Sequence, residues 1–288
     1  MKKVFVSLSV SIFLSNVLPV VAASSPQAKT NSFSQWCQQQ NSLPAATRRT
    51  IEVLLTKAGT KNCQLADSKL RSLTTLWLNR DLTDLEVVDL KPLASLNNLT
   101  QLYLNNNRIT DLQPLARLTN LTMLELGSNR IRDLQPLARL SNLTHLILDN
   151  NRISNLKPLV GLNNLTSLWL RDNRIVEVLP LAIVTKLTSV WLSNNRIHNL
   201  KPLTGLTNLT YLSLDNNHIF DVKPLARLNN LNRLELGSNR IRDVQPLAML
   251  SKLTMLELQK NQIDVKVCPV KPASICQWVQ PEIVGGEK

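Results

Sequence analysis

The chain has 288 residues, with 33 Lys and Arg against 20 Asp and Glu, a formal charge of +13. A hydrophobic content of 43% excludes a disordered chain, and only 7 Gly exclude collagen-like and low-complexity classes. Four Cys are too few to build a disulfide scaffold of this length, and the cationic excess raises the question of an anionic partner, nucleic acid or an acidic membrane.

In chain order, Lys2 and Lys3 precede an apolar run from Val4 to Ala22 that closes on the small residues of Val21-Ala22-Ala23. This order predicts a signal peptide over residues 1–23. Asn16 and Pro19 interrupt the run, leaving fewer than the ~20 apolar residues of a spanning helix. Losing two lysines takes +13 to +11, and the mature chain is expected to be exported, periplasmic or extracellular, with no transmembrane segment. Residues 24–72 read as an N-terminal cap. Leu43-Pro44 followed by Ala45, Ala46, Ile51, Val53, Leu54 and Leu55 predicts a helix that ends at Gly59.

From Leu99 the sequence repeats every 22 residues, with starts at Leu99, Leu121, Leu143, Leu165, Leu187, Leu209, Leu231 and Leu253. Each unit carries apolar residues at positions 1, 4 and 6 and Asn at position 9: Asn107, Asn129, Asn151, Asn173, Asn195, Asn217, Asn239 and Asn261. Ile follows at position 11, then Pro at position 16, from Pro114 to Pro246. A longer unit, Leu73 to Asn98, precedes them with Asp81 in the Asn slot, giving about nine units over residues 73–266. The pattern L-x-x-L-x-L-x-x-N-x-[IL] resembles the leucine-rich repeat family, and the I-x-D-L-x-P-L second half resembles its internalin-type, 22-residue subclass. The caps and repeat style also resemble secreted cyanobacterial repeat proteins.

The resemblance implies an α/β fold: a right-handed solenoid curved into an arc, with a parallel sheet on the concave side and a small helical N-terminal cap. The physics of the repeat agrees. Positions 3 to 5 alternate as a short strand requires, and one unit cannot bury its leucines without neighbours stacked on it. Pro at position 16 predicts extended or 3₁₀ backbone on the convex side. The Asn amide both donates and accepts, so the Asn column can bridge backbone groups of adjacent turns. Residues 267–288 are read as the C-terminal cap. Cys37 and Cys63 lie at one end of a stack about 40 Å long and Cys268 and Cys276 at the other. Of three pairings, only Cys37–Cys63 and Cys268–Cys276 are then within reach. Cys-x7-Cys without a nearby His is poor metal spacing, and neither metal nor cofactor is expected.

Two surfaces stand out. Position 5 reads Trp77, Tyr103, Glu125, Ile147, Trp169, Trp191, Ser213, Glu235, Glu257, and position 3 reads Thr75, Gln101, Met123, His145, Ser167, Ser189, Tyr211, Arg233, Met255. Alternation predicts that both columns are exposed, so three Trp and both Tyr share one face. Ile147, Trp169, Trp191 and Tyr211 are expected to form an apolar patch rimmed by Glu125 and Glu235. Trp and Tyr are enriched in binding hot spots, though large side chains also simply shield a sheet. The second surface is a column of cations at position 10: Arg108, Arg130, Arg152, Arg174, Arg196, His218 and Arg240. It reads either as a solvated edge paired with the acids of position 13 or as an anion-binding stripe.

Asn-Leu-Thr sequons at Asn98, Asn120, Asn142, Asn164 and Asn208 are generated by the repeat itself. His145, His198 and His218 fall at different repeat positions and do not suggest a metal or a catalytic base. Phosphate-cradling and nucleophile motifs are absent, no L-P-x-T-G motif follows the repeats, and the flanks are short for a catalytic domain. The expected function is a non-enzymatic scaffold that binds a protein partner on the aromatic concave face. The alternative is a cell-envelope glycan or other polymer on that face. Nucleic acid is not expected there: positions 3, 5, 7 and 8 hold four bases (Arg80, Arg171, Arg233, Lys260) against six acids (Glu125, Asp149, Asp172, Asp215, Glu235, Glu257).

Overall fold

A computed structural model describes residues 31–80 and 86–279. The expected signal peptide and Asp81 lie outside the described residues. Three helices come first: α1 (Phe33–Gln38), α2 (Ala45–Ala58) and α3 (Cys63–Ser72). They are followed by ten short strands: β1 (Thr75–Trp77), β2 (Gln101–Tyr103), β3 (Met123–Glu125), β4 (His145–Ile147), β5 (Ser167–Trp169), β6 (Ser189–Trp191), β7 (Tyr211–Ser213), β8 (Arg233–Glu235), β9 (Met255–Glu257) and β10 (Cys276–Gln277). The strands pair in chain order as one open parallel sheet. Register is strict: each position pairs with the residue 22 places on in β2 to β9, so a repeat column becomes a row across the sheet. This is a leucine-rich-repeat solenoid with a small helical N-terminal part.

The second half of each unit forms a 3₁₀ turn with Pro at its first positions, such as Gln113–Leu115 and Lys201–Leu203. Proline ends ladder pairing there, and the position-13 side chain starts the turn by accepting the N–H of position 15: Gln113 N–H to Asp111 Oδ1 is 2.8 Å, and Gln135 N–H to Asp133 Oδ1 is 2.9 Å. Leucines and isoleucines of positions 1, 4, 6, 11, 14, 17 and 20 form one continuous buried core from the helices to the last strands. Truncating one such leucine to alanine costs about 2–5 kcal/mol, because stacked turns leave little freedom to close a cavity.

Three side-chain ladders hold the turns in register. The position-9 Asn is buried between turns. Asn129 Nδ2 donates to Leu104 O of the preceding turn (2.9 Å) and to Leu126 O and Gly127 O of its own (3.0 and 3.1 Å), while its Oδ1 accepts Ile109 N–H (3.0 Å). The same set recurs at Asn151, Asn173, Asn195, Asn217 and Asn239. A second ladder runs through the sequon asparagines. Asn120 Nδ2 donates to Asn97 O and Asn142 Nδ2 to Thr119 O (both 2.8 Å), each reaching position 21 of the turn before. Thr at position 2 adds the third, as in Thr122 Oγ1 to Thr100 O at 3.1 Å. Position 8 turns the chain through left-handed backbone. Asn106, Ser128, Asn150, Asp172, Asn194, Asn216, Ser238 and Lys260 have φ between 50° and 61°. Short polar side chains tolerate this conformation best, and six of those eight are Asn or Ser and one is Asp.

Both ends differ from expectation in detail. Helix α2 forms from Ala45 and stops at Gly59, whose φ of 63° suits glycine. Helices α1 and α3 were not signalled by periodicity, since each buries only two residues, Phe33 and Cys37 in one and Ala66 and Leu70 in the other. Ser32 and Gln35 form a capping box on α1, and Asn62 caps α3. Cys37 is bonded to Cys63, joining α1 to the start of α3, and Cys268 to Cys276. About nine repeat units become ten strands, because Cys276–Gln277 pairs with β9 although the segment lacks the leucine pattern. No helix among the described residues is long and apolar enough to cross a membrane.

Candidate functional site

Positions 3 and 5 of every strand leave the core side of the sheet, and strict register stacks them into rows. Trp169 therefore lies directly opposite Trp191, and their rings stack with centroids 4.2 Å apart and planes at 8°. Tyr211 leans on Trp191 from the next strand at 4.7 Å, and Arg171 lies over the Trp191 ring at 5.8 Å. Ile147 pairs with Trp169 from the other side, and His145 lies 6.3 Å from the same ring. The row thus brings together Ile147, Trp169, Trp191 and Tyr211. Glu125 is in register with Ile147, and Glu235 with Ser213. Trp77 and Tyr103 form a separate stack at 3.6 Å, beyond Glu125.

Alternation alone overestimates exposure on this face. Trp77, on the first strand, is 47% exposed, but Tyr103 is 8%, Glu235 7% and Ser213 1%. Trp169, Trp191, Ile147 and Glu125 are half-buried. The reason is lateral packing: side chains one strand apart stack at ring-contact distance and cover each other. Tyr103 is closed in by Trp77, and its hydroxyl reaches Gln101 Oε1 (3.1 Å) and Met123 Sδ (3.2 Å).

Beside the aromatic row lies an open cavity of about 650 Å³, lined among others by Arg171, Asp172, Ser213, Asp215, Glu235 and Glu257. The repeat positions place these acids on the face, and the fold makes them converge. Glu235 sits at the centre: Tyr211 Oη donates to its Oε1 at 2.7 Å and Arg233 Nε at 2.8 Å, while Arg233 also reaches Glu257 at 3.3 Å. Burial raises the Glu235 carboxyl, but hydrogen bonds from Ser213 and Tyr211 and the Arg233 charge more than offset it, and its pKa is lowered. Burial and that same hydrogen bond to Glu235 push Tyr211 up to about 12. Asp215 goes the other way. Its burial and the nearby Glu235 charge push it up to about 7, although Gly237 N–H donates to it at 2.7 Å. The same bond recurs where the donor is not glycine, as Arg171 N–H donates to Asp149 Oδ1 at 2.7 Å; at Gly237 the missing Cβ leaves room for the Gln259 side chain. Ser193 and Ser213 hydroxyls bond each other under this carboxylate. Among the described residues, no three His, Cys, Asp or Glu converge as a metal site.

The cation column sits along the end of the sheet, each member exposed. Its expected pairing with position 13 does not form. Arg108 pairs with Glu86 at 2.8 Å, and among the described residues Arg130, Arg152, Arg174, Arg196 and Arg240 have no carboxylate within 4.0 Å. The position-13 aspartates Asp111, Asp133, Asp221 and Asp243 instead start the 3₁₀ turns.

Fold and rows together define a leucine-rich repeat protein. The family pattern described as leucine-rich repeats in two copies matches residues 97–139, 141–182 and 185–227. An internalin from Listeria monocytogenes is 31% identical with a TM-score of 0.63, over 83% of this chain and 74% of that one. An internalin C2 from the same organism is 34% identical with a TM-score of 0.54, over 77% and 88%. A leucine-rich repeat protein of Leptospira interrogans is 27% identical with a TM-score of 0.57, over 74% and 62%. No curated protein matches the chain. The chain belongs to the leucine-rich repeat family and is of the internalin-like type.

Proposed function

We propose that the chain is an exported bacterial, non-enzymatic scaffold that binds a protein partner through the aromatic row of its strand face. The observation that carries this reading is the Trp169–Trp191–Tyr211 stack, half-buried on a face the fold leaves open, beside a cavity lined by Asp215, Glu235 and Glu257. Rigid aromatic area next to fixed charges is the composition of an interface hot spot. The ring geometry favours a protein over a glycan. A neutral sugar docks by stacking on a free aromatic face, whereas Trp169 and Trp191 cover each other and Tyr211 leans on the far side of the pair. Their edges remain for packing against partner side chains. Two disulfides support residence in an oxidising compartment, as the apolar N-terminal segment does.

Affinity capture from cell-envelope extract tests the reading, comparing wild type with a Trp169→Ala/Trp191→Ala variant of unchanged melting temperature. A partner retained by wild type and lost by the variant is the expected result. Equal retention by both removes the face from the account, and competition by neutral oligosaccharides supports a glycan instead.

A further inference from the structure

The position-10 column is unusual in what surrounds it. Its backbone is pinned turn by turn: Arg130, Arg152, Arg174, Arg196, His218 and Arg240 each donate N–H to the position-11 carbonyl of the preceding unit at 2.8–2.9 Å. Buried Asn and Ile flank each one. Successive side chains therefore start one strand spacing apart, roughly 4.8 Å, and cannot drift out of line. The neighbouring columns neutralise them only in part. Position 12 comes alongside position 10 of the following turn, as Arg242 Nε to Gln262 Oε1 at 3.1 Å illustrates. From Thr110 to Arg242 that column holds Arg132, Ser154, Val176, His198 and Phe220 but no acid. Position 8 has one acid near the middle, Asp172, whose Oδ1 accepts from Asn194. Position 13 holds two acids over this edge, Asp133, whose carboxylate accepts Gln135 N–H, and the exposed Glu177. Like charges in a fixed row that outnumber the acids beside it repel one another, and a ligand bearing repeated negative charge removes that repulsion.

From this geometry we infer a second binding surface: the edge from Arg130 to Arg196 binds a linear anionic polysaccharide, a polymer carrying one sulfate or carboxylate per repeating sugar. Charge complementarity selects the polyanion. The placement of the aromatics selects a sugar polymer over single-stranded nucleic acid. Single strands are held by bases stacking on aromatic side chains, and here the Trp and Tyr stacks are on the strand face, while the cation column has none among its own members. Exposed amides at position 8, including Asn150, Asn194 and Asn216, lie two residues away in sequence and offer hydrogen bonds to sugar hydroxyls.

The test is titration of the full chain with dextran sulfate and with alginate, using neutral dextran as blank, at salt from about 50 to 200 mM. The variant R130Q/R152Q/R174Q/R196Q is compared with the charge-matched control K157Q/K201Q/K223Q/R227Q; both sets are exposed, and both chains should melt as wild type does. Wild type is expected to bind at least one of the two polyanions. The ladder variant should weaken by roughly tenfold or more and lose most of the salt dependence, while the control stays within about threefold. Absent binding at the lowest salt, or equal losses in both variants, overturns the site. Tighter binding of oligothymidylate than of either polysaccharide overturns the class of ligand.

Discussion

Asn173 shows how one residue type does several jobs in this fold. Its Nδ2 serves three carbonyls, Leu148 O at 3.0 Å, Leu170 O at 3.2 Å and Arg171 O at 3.0 Å, and its Oδ1 takes Ile153 N–H at 3.0 Å. Alanine there would strand buried backbone groups, so Asn173→Ala is expected to cost roughly 2–4 kcal/mol in urea denaturation. A change below 0.5 kcal/mol, of the order found at ordinary surface sites, would mean that water replaces the amide. Asp215 makes a different claim. The folded chain holds its proton to about pH 7, whereas an unfolded Asp releases it near 4. Its contribution to stability therefore falls as pH rises from about 4 to 7 and is level above that. Glu235, with its lowered pKa, contributes in the opposite sense, losing stability as pH falls below the unfolded Glu value. Asp215→Asn, which keeps an oxygen for Gly237 N–H, should raise the melting temperature at pH 8 and change it little at pH 4. An equal shift at both pH values would contradict the charge argument. The Asn column was legible as a ladder because one residue type recurs at fixed spacing. The left-handed column at position 8 was not, since it mixes Asn, Ser, Asp and Lys.

The elements divide in the same way. Strands and 3₁₀ turns could be read from the repeat, because alternation and Pro recur at the same offset in successive units. Helix α2 could be read from its apolar spacing and Gly59. Helices α1 and α3 could not: each has two buried residues, too few to set a period, and tertiary burial against α2 and the first turn holds them. Strand β10 has no leucine pattern at all and exists because β9 would otherwise offer an unpaired edge. The disulfides act on these weak ends. Cys37–Cys63 spans 26 residues and Cys268–Cys276 spans 8, so restraint of the unfolded chain contributes about 3.5 and 2.5 kcal/mol respectively. Reduction should open α1, α3 and β10 to protease while the central repeats stay resistant. Digestion that is the same before and after reduction would assign the ends' stability to packing instead.

At the scale of the whole molecule, the charge of +13 resolves into separate surfaces. The strand face carries more acids than bases, and the cations are concentrated along the position-10 edge and the 3₁₀ side. The composition of the face was legible from repeat arithmetic, since register converts columns into rows. What the sequence did not reveal was lateral: that Tyr103 and Glu235 are buried by neighbours, that the aromatics split into two stacks, and that Asp215, Glu235 and Glu257 converge on one cavity. Those facts depend on rotamers chosen between strands, which no single column records. Calorimetric titration of the captured partner tests the face most directly. One-to-one binding by wild type and a loss of more than about a hundredfold in Trp169→Ala/Trp191→Ala are predicted, since two stacked hot-spot residues are removed together. Unchanged affinity in that variant, with the fold intact, would contradict the assignment of the aromatic row as the partner site.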